Sequence, residues 1–212
     1  KIKKEVKIKE HPRLISMFIS RYKIENYLNF MPSQMHIRND SKSKSFLIDF
    51  RPGNKSIIHT VTKIYKFLLP IKFLLNFFRN YMIFSNILLD SQYSNLFMKL
   101  KNNSDAAIYS KENKSDSLFK NVHKKIFKFL YNKKLIYPIY KNFFSGNGGA
   151  FHYFGTIPMT SKKIKMSVNN LCQLKNFKNI YIIDGSVFDF KINKYPLGVI
   201  MANARRIAKE IK

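Results

Sequence analysis

The last third of the chain holds two segments that constrain its fold most tightly. One is His152-Tyr153-Phe154-Gly155-Thr156-Ile157-Pro158-Met159. The other is Asn179-Ile180-Tyr181-Ile182-Ile183-Asp184-Gly185-Ser186-Val187, followed by Tyr195-Pro196 and a helical tail from Leu197 to Ile211. The apolar run from Ile180 to Ile183 predicts a buried strand over Asn179–Asp184, and Asp-Gly-Ser predicts a turn at its end. Pro196 suits the first turn of a helix, where its missing N–H would have no intrahelical partner anyway. Ile200, Ala204, Ile207 and Ile211 then recur at spacings of 4, 3 and 4 and predict a core-facing stripe. A strand that leads through a small-residue turn into a helix is a favourable place for a cofactor. The helix start offers free N–H groups and partial positive charge.

Upstream, the pattern mixes strands and helices. Ser16–Ser20, Met35–Ile37 and Ser45–Phe50 read as strands, with turns at Lys42–Ser45 and Pro52–Lys55. Ile64, Phe67, Leu68, Ile71, Leu74, Leu75 and Phe78 keep helical spacing, which Pro70 interrupts. Tyr81–Leu89 and the alternating Tyr93–Leu100 read as strands of a hairpin or meander. Lys101–Asp105 reads as a turn and Ala106–Tyr109 as the return strand. Ser117 is placed to cap a helix whose apolar face is Phe119, Val122, Ile126, Phe129 and Leu130. His123 falls among lysines on that helix and reads as a solvated side chain. Tyr140–Ala150 reads as a loop. Its cluster Ser145-Gly146-Asn147-Gly148-Gly149 matches no phosphate-binding fingerprint and reads as letting backbone pass close to a ligand or a strand.

Composition bounds the function classes. The 212 residues carry a formal charge of +27, with seven Arg among 39 basic residues and no Trp. Such charge fits nucleic acid or an anionic membrane surface. Lysines spread along the chain, together with abundant Asn, Ile, Phe and Tyr, equally fit residues encoded by AT-rich codons, and that reading is preferred, with no nucleic-acid partner. The single Cys172, between Leu171 and Leu174, excludes an internal disulfide framework; it reads as a core residue and fits a cytoplasmic protein. Lys66, Pro70, Lys72 and Arg79 break the most apolar stretch, Ile64–Leu89, so no transmembrane span is expected.

The His152 segment, with Gly155 and Thr156 after it, and the strand-Asp184-Gly185-Ser186-Val187 turn before a Pro-led helix resemble the C-terminal half of glucose–methanol–choline (GMC) flavin oxidoreductases. The likeness covers 148–160 and 179–211 most clearly. Residues 1–60 carry no motif that can be placed. The resemblance implies an α+β fold with an antiparallel substrate-domain sheet and helices, plus a C-terminal strand and helix that complete a flavin-binding domain. It divides the chain into 1–145, substrate-binding in type, and 146–212, the segment with the catalytic His. It implies an FAD-dependent enzyme that oxidises the CH–OH group of an alcohol or sugar, acting with an N-terminal FAD-binding portion whose Gly-rich unit is not in this sequence.

By that resemblance His152 is the catalytic base. Histidine as a residue type suits the role because its charge changes near neutral pH. Asp184 and Gly185 are flavin contacts, and Pro196 and Leu197 approach the ring. The family usually places Asn or His before the terminal Pro, and here Tyr195 stands there. Three readings stay open. Tyr195 takes over the second catalytic role, Asn193 reaches the site, or activity is altered or lost. Two further alternatives are a basic binder of nucleic acid or membrane surfaces and an inactive GMC-like remnant.

Overall fold

The computed structural model describes residues 5–25, 35–39, 45–100, 105–111, 115–146, 148–150, 152–162, 164, 166–191 and 196–211. Its strands and helices run in the order β1 (Glu5–Glu10), β2 (Arg13–Ser20), β3 (Met35–Asn39), β4 (Phe46–Pro52), α1 (Lys55–Ile64), α2 (Lys72–Phe77), β5 (Met82–Leu89), β6 (Leu96–Leu100), β7 (Ala106–Ser110), α3 (Ser115–Asn132), β8 (Ile136–Gly146), β9 (Tyr153–Phe154) and α4 (Pro196–Glu210). The fold is α+β. A four-stranded sheet has the order β7-β6-β1-β9, and a five-stranded sheet the order β3-β4-β5-β2-β8.

Two compact units interleave along the chain. The first comprises residues 1–12, 89–115 and 146–212; the second comprises 13–88 and 116–145. This differs from the contiguous division expected at 145. The cause is pairing: β1, near the start of the chain, lies between β6 and β9 and hydrogen-bonds antiparallel to both. Residues 1–12 and 89–115 therefore group with the C-terminal segment.

In the second unit, β2 lies inside the sheet between β5 and β8, with one face buried and the other partly so. Leu14, Ser16, Phe18 and Ser20 are buried on one face, while Ile15, Met17 and Ile19 pack against the cluster of Ile57, Ile58, Val61, Met82, Phe84 and Phe143 on the other. Helix α1 starts where Asn54 accepts a 2.8 Å hydrogen bond from the Ile57 N–H. Just before it, a Cβ on Gly53 would lie 2.2 Å from the Arg79 carbonyl oxygen. Pro70 does not sit inside an α-helix. It lies in a 3-10 turn, Lys66–Ile71, between α1 and α2, because proline lacks the N–H an α-helix interior requires.

Several expectations are corrected here. Tyr140–Ala150 is not a loop throughout, since β8 runs to Gly146 beside β2. Tyr81–Leu89 does not join the next strand in a hairpin: β5 pairs with β2, and β6 pairs with β7. His123 is buried rather than solvated. Its ring stacks on Phe18, with centroids 5.6 Å apart, and tilts against Tyr140 at 4.9 Å. Lysines on either side in sequence do not determine burial, because α3 turns position 123 toward the sheet along with Phe119, Val122 and Ile126. The turns expected at 42–45 and 101–105 fall almost wholly outside the described residues.

In the first unit, Val168, Cys172, Leu174, Val187 and Ile207 form one core cluster, with Ile157, Met159, Tyr181, Ile182 and Phe188 packed on it. Cys172 is a free, buried thiol, as its apolar neighbours predict. The strand expected over Asn179–Asp184 is not regular. Tyr181 makes a single bridge to Gln173, and the Ile182 N–H donates to the Cys172 carbonyl at 2.9 Å. Its partner segment turns too sharply for a ladder, with Cys172 and Asn176 at positive φ, and Asn179 at the start of the run is left-handed as well. Ile180 and Ile183 remain exposed, so the run is not buried either. No described helix is long and apolar enough to cross a membrane.

Two glycines should respond oppositely to alanine. Gly53→Ala forces a Cβ onto backbone oxygen and should destabilise by roughly 1–3 kcal/mol. Gly198→Ala, inside α4 with nothing within 4 Å of the new Cβ, should stabilise by about 0.5–1 kcal/mol. Denaturant melts of both variants measure this, and a stable Gly53→Ala protein would refute the close approach.

Burial pushes the His123 pKa down. A histidine whose folded pKa lies below its unfolded value of ~6.5 contributes stability above that value, and loses it as pH falls toward the folded pKa. Melting temperature should therefore drop below about pH 6.5. His123→Phe, which keeps the stack on Phe18, should flatten that part of the profile.

Candidate functional site

β9 pairs with the end of β1, in the register Lys9 to Phe154 and Glu10 to Tyr153. Beyond β9 the chain lies along the 185–187 turn. The N–H groups of Gly155, Ile157 and Met159 donate to the carbonyls of Gly185, Ser186 and Val187 at 3.4, 3.0 and 2.9 Å. The two segments singled out in the sequence are thus hydrogen-bonded neighbours.

Each glycine in the arrangement has a steric reason. Gly155 has φ +70°, and a Cβ there would lie 2.8 Å from the Lys9 side chain and 3.2 Å from the Phe188 carbonyl oxygen. At Gly185 a Cβ would meet the Tyr153 carbonyl oxygen at 3.3 Å and Ile200 Cδ1 at 3.4 Å. Ile200 belongs to α4, so Gly185 marks where β9, the turn and the first half of α4 come together.

Asp184 caps the turn Gly185–Val187. Its Oδ1 accepts from the Ser186 N–H at 2.9 Å and from the Ser186 hydroxyl at 2.5 Å. This local role fixes the turn that the Gly155–Met159 segment reads. His152 is exposed and sits one residue before β9. Pro196 opens α4 and is partly buried, while Leu197 is 64% exposed. Tyr195 and Asn193 lie outside the described residues.

Sequence reasoning missed two neighbours of His152. Glu10 is fully buried. Its carboxylate accepts from the Gly148 N–H at 2.6 Å and from the Ala150 N–H at 3.4 Å. The Tyr153 hydroxyl donates to the Gly148 carbonyl at 2.8 Å. The glycine cluster therefore wraps a carboxylate of its own chain. His11 is the second. Its Nδ1 lies 3.3 Å from the Leu89 carbonyl and its ring 5.1 Å from Phe154. Burial lowers its pKa, against the opposing pull of the Asp90 carboxylate and the bond to the Leu89 carbonyl. No sequence signal marks either residue, since both lie some 140 positions from the segment they support.

As a flavin site the residues fit in part. The first-turn N–H groups of α4 at Leu197 and Gly198 lack intrahelical acceptors by position, and Ile200, further along the same helix, lies 3.4 Å from where a Cβ on Gly185 would be. That donor set suits the electron-rich edge of an isoalloxazine ring. Packing accounts for the missing Cβ of Gly185, which leaves any ligand role to its backbone. Nothing in the sequence supplies the Gly-rich turn that an ADP moiety needs. Two cavities lie elsewhere. One, of about 610 Å³, lies against α3 and is lined by Phe119, Phe127 and Tyr140 among others; the other, about 350 Å³, is lined by Lys7, Lys9, Asp90 and Asp189 among others. Neither is lined by His152 or Asp184. Among the described residues, no group of three or more His, Cys, Asp or Glu is placed to hold a metal ion.

No protein-family model matches the chain, and no curated protein matches it in sequence.

Removing the Glu10 carboxylate leaves the Gly148 and Ala150 N–H groups without this acceptor. Glu10→Ala should cost roughly 1.5–3 kcal/mol, the range for a hydrogen bond to a charged group. Faster amide exchange at Gly148, measured by NMR, would report the loss directly. Unchanged exchange would show that the carboxylate does not hold the loop.

Proposed function

We propose that this chain is the substrate-side, C-terminal portion of a GMC-type flavin oxidoreductase that oxidises an alcohol or sugar CH–OH group. The observation that carries the reading is the hydrogen-bonded adjacency of the His152 segment and the Asp184–Val187 turn at the start of α4. On composition alone these stretches have no reason to meet. A site that must present a base and a flavin edge to one substrate carbon needs them together.

In this reading FAD, gripped by a separate N-terminal portion, supplies the hydride acceptor when bound. The residues of this chain do the rest. The exposed imidazole of His152 takes the hydroxyl proton of the substrate. Glu10 and the Tyr153 hydroxyl, by anchoring Gly148, hold the strand entry that positions His152. The N–H groups of Gly185, Leu197 and Gly198 would donate to the electron-rich edge of the cofactor. Tyr195, directly before α4, is the proposed second catalytic group.

Apolar exposure supports the incompleteness of the site. Leu197, Val199 and Met201 on α4, with Ile180 and Ile183 before the turn, are each at least 40% exposed. A flavin and a covering protein portion would bury them.

The test is reconstitution. Expressed alone, the chain should purify colourless, without the flavin band near ~450 nm. Joined to a Gly-rich FAD-binding portion, it should turn over an alcohol with a dye acceptor, and His152→Ala should lower kcat by roughly 10²–10⁴ with flavin content unchanged. A yellow, FAD-loaded preparation of this chain alone would overturn the half-site reading. Full activity in His152→Ala would overturn the role of the imidazole.

A further inference from the structure

Independently of the flavin reading, we propose that the segment from Ile64 to Tyr81 docks this protein onto an anionic lipid surface. The segment comprises the 3-10 turn Lys66–Ile71, α2 and a second 3-10 turn, Arg79–Tyr81. Its inner side is anchored, because Tyr65, Leu68 and Leu75 pack on the core cluster of the second unit. Its outer side is apolar as well. Phe73 is 83% exposed, Phe77 70% and Phe67 66%, and Ile64, Leu69, Ile71, Leu74 and Phe78 are each more than 40% exposed. The four phenylalanines alone present on the order of 500 Å² to solvent, comparable to the largest patch on an ordinary monomer. A helical segment that is apolar on both sides belongs inside a protein or at a membrane.

Charge selects the occupant. Between Asp49 and Asp90 the sequence has no acidic residue, whereas Arg51, Lys55, Lys63, Lys66, Lys72 and Arg79 are basic. Lys63 and Lys66 are exposed and Lys72 partly so, in the same run as the exposed phenylalanines. A second copy of this face would set like charges against each other, which disfavours self-association. Nucleic acid would present phosphates to the lysines but would leave the leucines and isoleucines without a partner. An anionic bilayer satisfies both features, with phenylalanine and leucine entering the acyl boundary and lysine and arginine at the headgroups.

The experiment uses the full chain and vesicles of phosphatidylcholine with about 30% phosphatidylserine. The protein contains no Trp, so Phe73→Trp provides a single reporter. Its emission should shift to the blue on adding these vesicles, and the protein should float with them in a density gradient. Binding should weaken as salt screens the lysines. The double variant Phe73→Ser/Phe77→Ser should lose about tenfold or more in vesicle affinity while keeping its melting temperature, since both side chains face solvent. Lys66→Glu/Lys72→Glu should lose binding to anionic vesicles by a similar factor. No flotation of the parent protein, or equal flotation of the double variant, would overturn the proposal. A dimer in light scattering that the same two serines abolish would also overturn it and assign the face to self-association.

Discussion

Three backbone hydrogen bonds between Gly155–Met159 and Gly185–Val187 organise the first unit. They are local in space and distant in sequence. The Pro158 carbonyl accepts from the Val168 N–H at 3.2 Å, and Val187 on the opposite side enters the same core as Val168 and Ile207. The turn, the bridge segment and α4 therefore share one packing solution. A side chain at either glycine would strain this close approach, at Gly155 through its φ of +70° and at Gly185 through contacts of 3.3 Å to the Tyr153 carbonyl oxygen and 3.4 Å to Ile200. Site and core are one construction, which is why residues that look catalytic in sequence are also residues that packing requires.

Periodicity made most of the second unit legible. The strand-like runs at β2 and β5 and the apolar face of α3, apart from the exposed Phe129, are direct consequences of side chains facing two sides of a sheet or one side of a helix. What it did not reveal was pairing. Nothing in the residues of β1 states that it lies between β6 and β9, so the interleaving of the two units stayed hidden. The same limit explains Glu10 and His11, whose meaning lies in partners far along the chain. The run Asn179–Ile183 misled for the opposite reason. Its β-branched residues match a buried strand, but strand formation also needs a regular partner, and the segment opposite is built of left-handed turns at Cys172 and Asn176. His123 shows that lysine neighbours in sequence say little about burial once a helix has 3.6 residues per turn.

Carboxylates are scarce here, and those described are mostly engaged. Glu5 pairs with Lys111, Asp49 with His36 and Arg51, and Asp189 with Lys9. Asp90 and Asp184 cap turns, and Glu10 holds the glycine cluster. With 12 acidic residues against 39 basic ones, these ties leave most cations facing solvent. A chain whose composition drifts toward lysine can keep its fold if the few carboxylates that remain occupy structural positions. Net charge then says little about a selected partner, and the local arrangement of charge and apolar surface says more.

That distinction separates the two exposed apolar faces. On α4, Leu197 and Met201, one turn apart, lie in a stretch, Pro196–Ala204, that contains no charged residue, and the arginines begin only at Arg205. A face whose rim within the helix holds only Arg205, one turn on from Met201, suits a cover that is largely uncharged, such as a protein interior or the ring system of a cofactor. The face at Ile64–Tyr81 is different, since every charge in it is positive. Covering it with an ordinary protein surface would require a partner rich in carboxylates around an apolar centre. A bilayer with anionic headgroups offers that combination without any evolved complement, because its charge and its apolar interior are already stacked in the right order. The contrast in rim chemistry, more than the total of +27, is the ground for proposing different kinds of cover for the two faces.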